Sequence, residues 1–442
     1  MSTSFQILPP SYDADAAVAR FPYALGDLRF VETLEFAAHA DKAAASTAAF
    51  ERLLRVTAFV LGVSYYKLLA PSRIAVDFPL ADDERDLALD VYTNGLGEFF
   101  ARNNLLRFGK IEIDAPADTS RSRPAPILRD RALLPIGGGK DSLVSLELFE
   151  RAGLDYTPFA VNPKGPILTS IGAITRTPLY VKRTLDPEMI RLGSEPGYYN
   201  GHVPSTAINS MIAALTALLF SYSRIVLSNE RSASEGNAIH DGREVNHQHS
   251  KSLAFEGRIA AVLGNATGGA LSYFSLLRPY SEARIAKLFS RETRFDYVFS
   301  SCNRNFRLSG HDGPLWCGEC PKCHFTFLLM ACHMEKSRIL SIFGSNFLDV
   351  AANERSFREL TGLAGQKPWE CVGEIEEAAA CLYVLSQHPD WEHAAIVATL
   401  RDDLLAQYGR ARLSAALAAL FADSADHLIP PSIAESIAPH AV

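Results

Sequence analysis

Apolar and polar positions change period several times along this chain, and the changes divide it. Leu28-Arg29-Phe30-Val31-Glu32-Thr33-Leu34-Glu35-Phe36 alternates like a half-buried strand, whereas 48–60 repeats with helical spacing. Residues 1–120 therefore read as a mixed α+β N-terminal domain, followed by a linker over 115–126 rich in Asp, Thr, Ser, Arg and Pro. Beyond it, short apolar runs at 133–136, 156–161, 179–181 and 224–227 alternate with helical stretches such as 207–220. Strands separated by helices predict an α/β domain over 121–300 with a parallel sheet covered on both faces. Ligands of such sheets sit at the carboxyl ends of the strands, so chemistry is expected in the loops 137–142, 162–165 and 228–237. From about residue 325 Ala and Leu dominate. The region 301–442 reads as helical, ending in a loose Pro/Ser/Ala tail.

Composition narrows the classes. The 442 residues, 48% hydrophobic and 21% charged, suit an ordinary globular protein of two or three domains. A net charge of -7 argues against broad nucleic-acid binding, which needs a basic face. No run approaches 18 apolar residues and the N-terminus lacks a basic-then-apolar leader, so neither membrane nor export is expected. Seven cysteines, three of them clustered, suit a reducing cytoplasm and a metal site rather than a disulfide framework.

Chemistry concentrates in four segments. Leu133-Leu134-Pro135-Ile136 empties into Gly137-Gly138-Gly139-Lys140-Asp141-Ser142 and then the helical pattern of 143–149. A strand, a glycine turn and a helix N-terminus make a phosphate cradle, because glycine admits close backbone approach and free amides face the anion. Neither the Walker A pattern nor the dinucleotide fingerprint fits: Leu134, Asp141 and Ser142 occupy positions where those motifs need other residues. The segment Ser228-Asn229-Glu230-Arg231-Ser232-Ala233-Ser234-Glu235-Gly236-Asn237 is dense in polar groups after an apolar strand. Asn246-His247-Gln248-His249-Ser250-Lys251 offers imidazoles and an ammonium for anion binding or proton transfer. On a strand, His247 and His249 would face the same side. His202, before the helix at 207–220, is expected in an exposed loop with Ser205 or Thr206 as its N-cap. Cys302, Cys317, Cys320 and Cys323, spaced C-x14-C-x2-C-x2-C, aim four thiolates at one tetrahedral centre, with His324 as a substitute ligand. Cys332, Cys371 and Cys381 read as isolated core residues.

The GGGKDS loop resembles the SGGxDS loop of the N-type ATP pyrophosphatases, the PP-loop (adenine nucleotide alpha hydrolase-like) family, with Gly137 for the first Ser. The Cys pattern resembles the structural zinc site of the deazaguanine-forming PP-loop enzymes, with a longer first spacer. All four segments together resemble the bacterial UDP-N-acetyl-α-D-muramoyl-L-alanyl-L-glutamate epimerases. That resemblance implies ATP- and Mg2+-dependent inversion of a terminal L-glutamate on a nucleotide-sugar dipeptide, with AMP and pyrophosphate released. It also implies structural Zn2+ and a functional link to a ligase that adds L-Glu. Carried over residue by residue, it puts Gly137, Gly138, Gly139, Lys140, Ser142 and Asn162 on ATP and Asp141 on Mg2+. Arg231 and Lys251 would bind anions, and His247, His249, Glu230 and Glu235 are the candidates for the acid/base pair. An amidating or thiolating PP-loop enzyme acting on tRNA or a heterocycle is the alternative; it would carry a basic face and a catalytic Cys near ATP.

Overall fold

The computed structural model describes residues 4–119, 125–306 and 313–442. Thirteen strands are present among them: β1 (Phe5–Ile7), β2 (Ser11–Asp13), β3 (Val18–Leu25), β4 (Leu28–Glu35), β5 (Arg73–Val76), β6 (Glu112–Asp114), β7 (Arg129–Pro135), β8 (Tyr156–Val161), β9 (Leu179–Thr184), β10 (Tyr222–Leu227), β11 (Ala238–His240), β12 (Arg243–Val245) and β13 (Ser272–Ser275). Eleven form one mixed sheet in the order β13-β10-β7-β8-β9-β4-β3-β1-β5-β6, with β2 beside β3; β11 and β12 make a separate hairpin. The half from β13 to β9 is parallel throughout. Antiparallel pairing of β4 with β9, Thr33 opposite Thr184, carries the sheet on into the N-terminal strands.

The alternation read along the sequence is what sorts this sheet's two faces. Leu133, Ile225 and Leu227 point into one apolar core, with the helices Ala48–Leu61 and Ser205–Leu219. Ala132, Leu134 and Val226 point into the other, with Lys140–Arg151, Glu282–Phe289 and Pro321–Ala331. Within the parallel half the chain enters at β7, moves outward through β8 and β9, then returns to β10 on β7's other side. Such a reversal opens a crevice at the carboxyl ends of the two strands. The loops after β7 and β10 are the two that border it.

Three expectations need correction. The stretch at 115–126 is not a free linker at its start, because Ala117 bridges Leu80 and the Asp118 amide donates to the Leu80 carbonyl at 2.9 Å; its residues 120–124 lie outside the described residues. Pro204, not Ser205 or Thr206, is the N-cap of Ser205–Leu219, which starts without a side-chain cap. The C-terminal tail is docked: helix Pro431–Ile437 buries Ile433 and Ile437, and Arg284 Nη2 donates to the Ala441 carbonyl at 2.8 Å. Among the described residues no helix is long and apolar enough to cross a membrane.

Candidate active site

The glycine loop joins β7 to the helix Lys140–Arg151, as its sequence predicts. Gly138 has φ +79°, and a Cβ there would lie 2.9 Å from backbone atoms of Pro166 and Ile167. Gly139 is pressed similarly by Ser301 Oγ, whereas a Cβ on Gly137 would meet nothing within 4 Å. Gly138 is therefore required by the protein's own backbone, Gly139 is crowded by a side chain, and the space beside Gly137 is open. Ser142 Oγ accepts from the Gly137 amide and donates to the Gly139 carbonyl, both at 3.2 Å, bracing the turn.

Charged side chains gather beneath this loop. The Lys140 ammonium is buried and bonds both Asp141 and Glu282. Lys322 Nζ lies 4.0 Å from the other oxygen of Glu282. Burial opposes ionisation of Asp141, but Lys140 and Lys322 outweigh it and hold this carboxyl below the usual range. Burial raises Glu282, reinforced by the charge of Asp141, although Lys140 pulls the other way. The Lys251 ammonium is held charged against burial by Cys371, Glu230, Asp141 and Glu282.

Arg278 explains why two loops distant in sequence share this site. Its buried guanidinium donates to the Glu230 carbonyl at 2.7 Å, the Lys251 carbonyl at 2.5 Å and Glu256 Oε2 at 2.7 Å. The loop after β10 and the segment carrying His247 and Lys251 are thereby fastened together.

Lys251 Nζ lies 3.7 Å from Cys371 Sγ, and Lys322 Nζ donates to the Cys371 carbonyl. Burial alone would raise this thiol, but Lys251, a hydrogen bond with His247 and the ammonium of Lys322 bring it down to about 7. Burial likewise works against charge on His247, yet its bonds to Cys371 and Glu98 raise it to about 9. His202 packs against His247 with ring centroids 4.9 Å apart. Burial and the charge of His247 push His202 down to about 4.

The remaining expected residues divide. Glu230 is buried at the cluster. Glu235 pairs with Lys367, and Arg231 Nη1 donates to the Ala422 carbonyl at 3.3 Å, so both side chains engage the C-terminal region. His249 does not share a face with His247: the segment is a turn and a 3-10 helix, and His249 Nε2 lies 2.9 Å from Asp90 Oδ1 instead. Asn162 is committed to the sheet, accepting from the Arg183 amide at 2.8 Å and donating to its carbonyl at 2.6 Å. His202 is mostly enclosed rather than exposed. Cys371 is not an isolated core thiol. It, Glu98 and Glu282 were missed because no local motif marks them, and Lys322 because the cysteines around it drew the reading; a Cys between Glu370 and Val372 in an aperiodic stretch was the available signal.

The sulfurs of Cys302, Cys317, Cys320 and Cys323 lie within 4.8 Å of one another. Cys323 Sγ is 3.7 Å from Cys317 Sγ and 3.5 Å from Cys320 Sγ. A tetrahedron with Zn–S bonds of about 2.3 Å has edges of roughly 3.8 Å, so the four thiols can hold a metal and suit structural zinc. His324 is not needed: its nitrogens face the Gly318 carbonyl at 2.9 Å and Ser356 Oγ at 2.8 Å.

Comparison with known proteins places the chain. Residues 1–276 match the family model of the MurL N-terminal domain, and 298–414 that of the MurL C-terminal domain. The chain belongs to the UDP-N-acetyl-α-D-muramoyl-L-alanyl-L-glutamate epimerase family. An epimerase of that name from a Micromonospora species is 41% identical over 442 residues, covering 97% of each chain. Those of Xanthomonas oryzae pv. oryzae and Salinispora tropica are 39% and 38% identical, covering 98% and 97% of this chain and 97% and 94% of their own. The N-terminal matched segment supplies the glycine loop, Glu230, His247 and Lys251; Glu282 falls between the two segments, and the C-terminal one supplies Lys322 and Cys371.

Proposed function

We propose that this chain inverts the terminal L-glutamate of UDP-N-acetyl-α-D-muramoyl-L-alanyl-L-glutamate to D-glutamate in peptidoglycan precursor synthesis, consuming ATP and releasing AMP and pyrophosphate. The observation that carries the reading is near-full-length similarity to curated epimerases of that name, 41% identical at 97% coverage. The chemistry of the site agrees with it. An ionised carboxylate makes its neighbouring α-proton hard to remove, because the carbanion would carry a second charge. Adenylation cancels that charge and turns the acyl group into an electron sink. The glycine loop at the switch point, with Lys140 and Ser142, is suited to the ATP phosphates. Asp141, kept ionised, would hold Mg2+, which supplies charge neutralisation on the phosphates. Lys251 and Lys322 bring positive charge to Asp141, which supports a carboxylate and a phosphate meeting there. Epimerisation then requires a proton taken from one face of the α-carbon and one delivered to the other.

A thiol near the loop is also what an amidating or thiolating enzyme would show, and Cys371 answers that description. The similarity to epimerases along both matched segments outweighs it. Purified protein with ATP, Mg2+ and UDP-N-acetylmuramoyl-L-alanyl-L-glutamate in heavy water decides between them. Pyrophosphate release with deuterium entering the glutamate α-position is expected; pyrophosphate without deuterium would overturn epimerisation in favour of a ligase-type reaction.

A further inference from the structure

Cys371 faces the ammonium of Lys251 rather than other thiols. The residue as a whole is less enclosed than buried Cys381. Lys251 lies 3.7 Å from the sulfur, His247 hydrogen-bonds to it, and Lys322 grips its carbonyl. Lys251 also feels Asp141, Glu230 and Glu282, so one side chain links the thiol to the base of the glycine loop. An acyl group activated at that loop and drawn toward Lys251 would approach this sulfur.

We propose that Cys371 is one of the two proton-transfer residues of the epimerisation, its thiolate taking the α-proton of the activated glutamate from one face. The inference rests on the epimerase reading. In the step the S–H bond forms as the Cα–H bond breaks, and the C–H electron pair passes into the acyl carbonyl. A second protonated side chain delivers its proton to the opposite face, the pair moves back to the α-carbon, and both side chains re-equilibrate with solvent. No electron is gained or lost by the protein. Starting from the D-epimer, the roles reverse and the Cys371 thiol donates. His247 and Lys251 act through the sulfur as positioning residues, keeping a negative charge on it that burial would otherwise remove.

The test uses the full chain with the L-Glu and D-Glu forms of the substrate, ATP and Mg2+ in heavy water. Wild type should release pyrophosphate and take up deuterium from both epimers. Cys371→Ala and Cys371→Ser should still release pyrophosphate while epimerisation drops about 10²-fold or more, the range of a lost general base. Their deuterium uptake should survive from one epimer only, because the opposite group still exchanges the proton on its own face. Epimerisation at the wild-type rate overturns the proposal, as does equal loss of exchange from both epimers or loss of pyrophosphate release. Alkylation of wild type with iodoacetamide, mapped to Cys371, gives an answer independent of how the variants fold. Labelling there should track loss of inversion while pyrophosphate release persists, and labelling without that loss overturns the assignment. Wild type that yields neither pyrophosphate nor deuterium would instead refute the epimerase reading itself.

Discussion

The surroundings of Lys140 and of Lys251 show how differently one residue type is used a few side chains apart. Lys140 is fully enclosed and bonded to two carboxylates, Asp141 and Glu282, with Lys322 balancing the second. That region is neutral and closed, a clamp between the start of Lys140–Arg151 and the start of Glu282–Phe289. Around Lys251 the nearest partner is a thiol, which His247 also bonds, and the carboxylate Glu230 stands behind. There the cation changes which protonation state a reactive group adopts. A buried ion pair stabilises by satisfying charge, whereas a cation beside a titratable thiol is a chemical device.

Breaking both regions at once should have the largest effect. Lys322 touches Glu282 on one side and the Cys371 carbonyl on the other, and it lies between Cys320 and Cys323. Structural zinc supplies folding free energy outright, about 10 kcal/mol or more in zinc-finger peptides. Stripping metal with a chelator should therefore lower the melting temperature and abolish both pyrophosphate release and α-deuteration. Metal analysis, calorimetry and the two assays on one sample measure this. Protein that is metal-free as purified and fully active would end the role given to the four cysteines.

Next comes the closed region alone. Lys140→Met leaves Asp141 and Glu282 buried without their shared cation, and removing one partner of a buried pair costs about 3–5 kcal/mol. Urea unfolding should show that loss. The double variant Lys140→Met/Glu282→Met should recover part of it, since only Asp141 is then left without the shared cation. If the single variant is as stable as wild type, the clamp contributes nothing.

The closed region was largely legible in the sequence, and the open one was not. The strand 133–136, the glycine turn and the helix after it are contiguous, and their period and turn chemistry are local properties; β8 was read to the residue. Even there, Glu282 was invisible, because its place under the loop depends on a helix more than a hundred residues later. Lys251 and His247 could be read as polar groups in a loop, but their partners Cys371, Glu98 and His202 come from three separate regions. His249 shows the cost of assuming a period: a turn at 246–248 sends it to Asp90 rather than beside His247. Long-range convergence leaves no spacing for a sequence pattern to report.

The smallest expected effect is also the one that most sharpens the contrast. Cys371 ionises near 7 rather than its ordinary 9.0, so the stability drawn from its thiolate is fully present above about 9 and is lost as pH falls through about 7. His247 titrates near 9 rather than 6.5, so its contribution is complete below 6.5 and is lost as pH rises through about 9. Thiolate and imidazolium therefore coexist between about 7 and 9, and the rate of inversion should be bell-shaped over that window, its limbs belonging to the coupled pair. Lys251→Met removes the strongest cation acting on the sulfur. The acid limb should move upward, and both inversion and alkylation of Cys371 at pH 7 should fall about tenfold or more. At pH above the shifted limb the alkylation rate should approach that of wild type, because the thiol is then ionised without help. A Lys251→Met profile that keeps its acid limb near 7 while losing rate at every pH would make Lys251 a cation that, like Lys140, serves only to pair with anions, and the contrast between the two lysines would collapse.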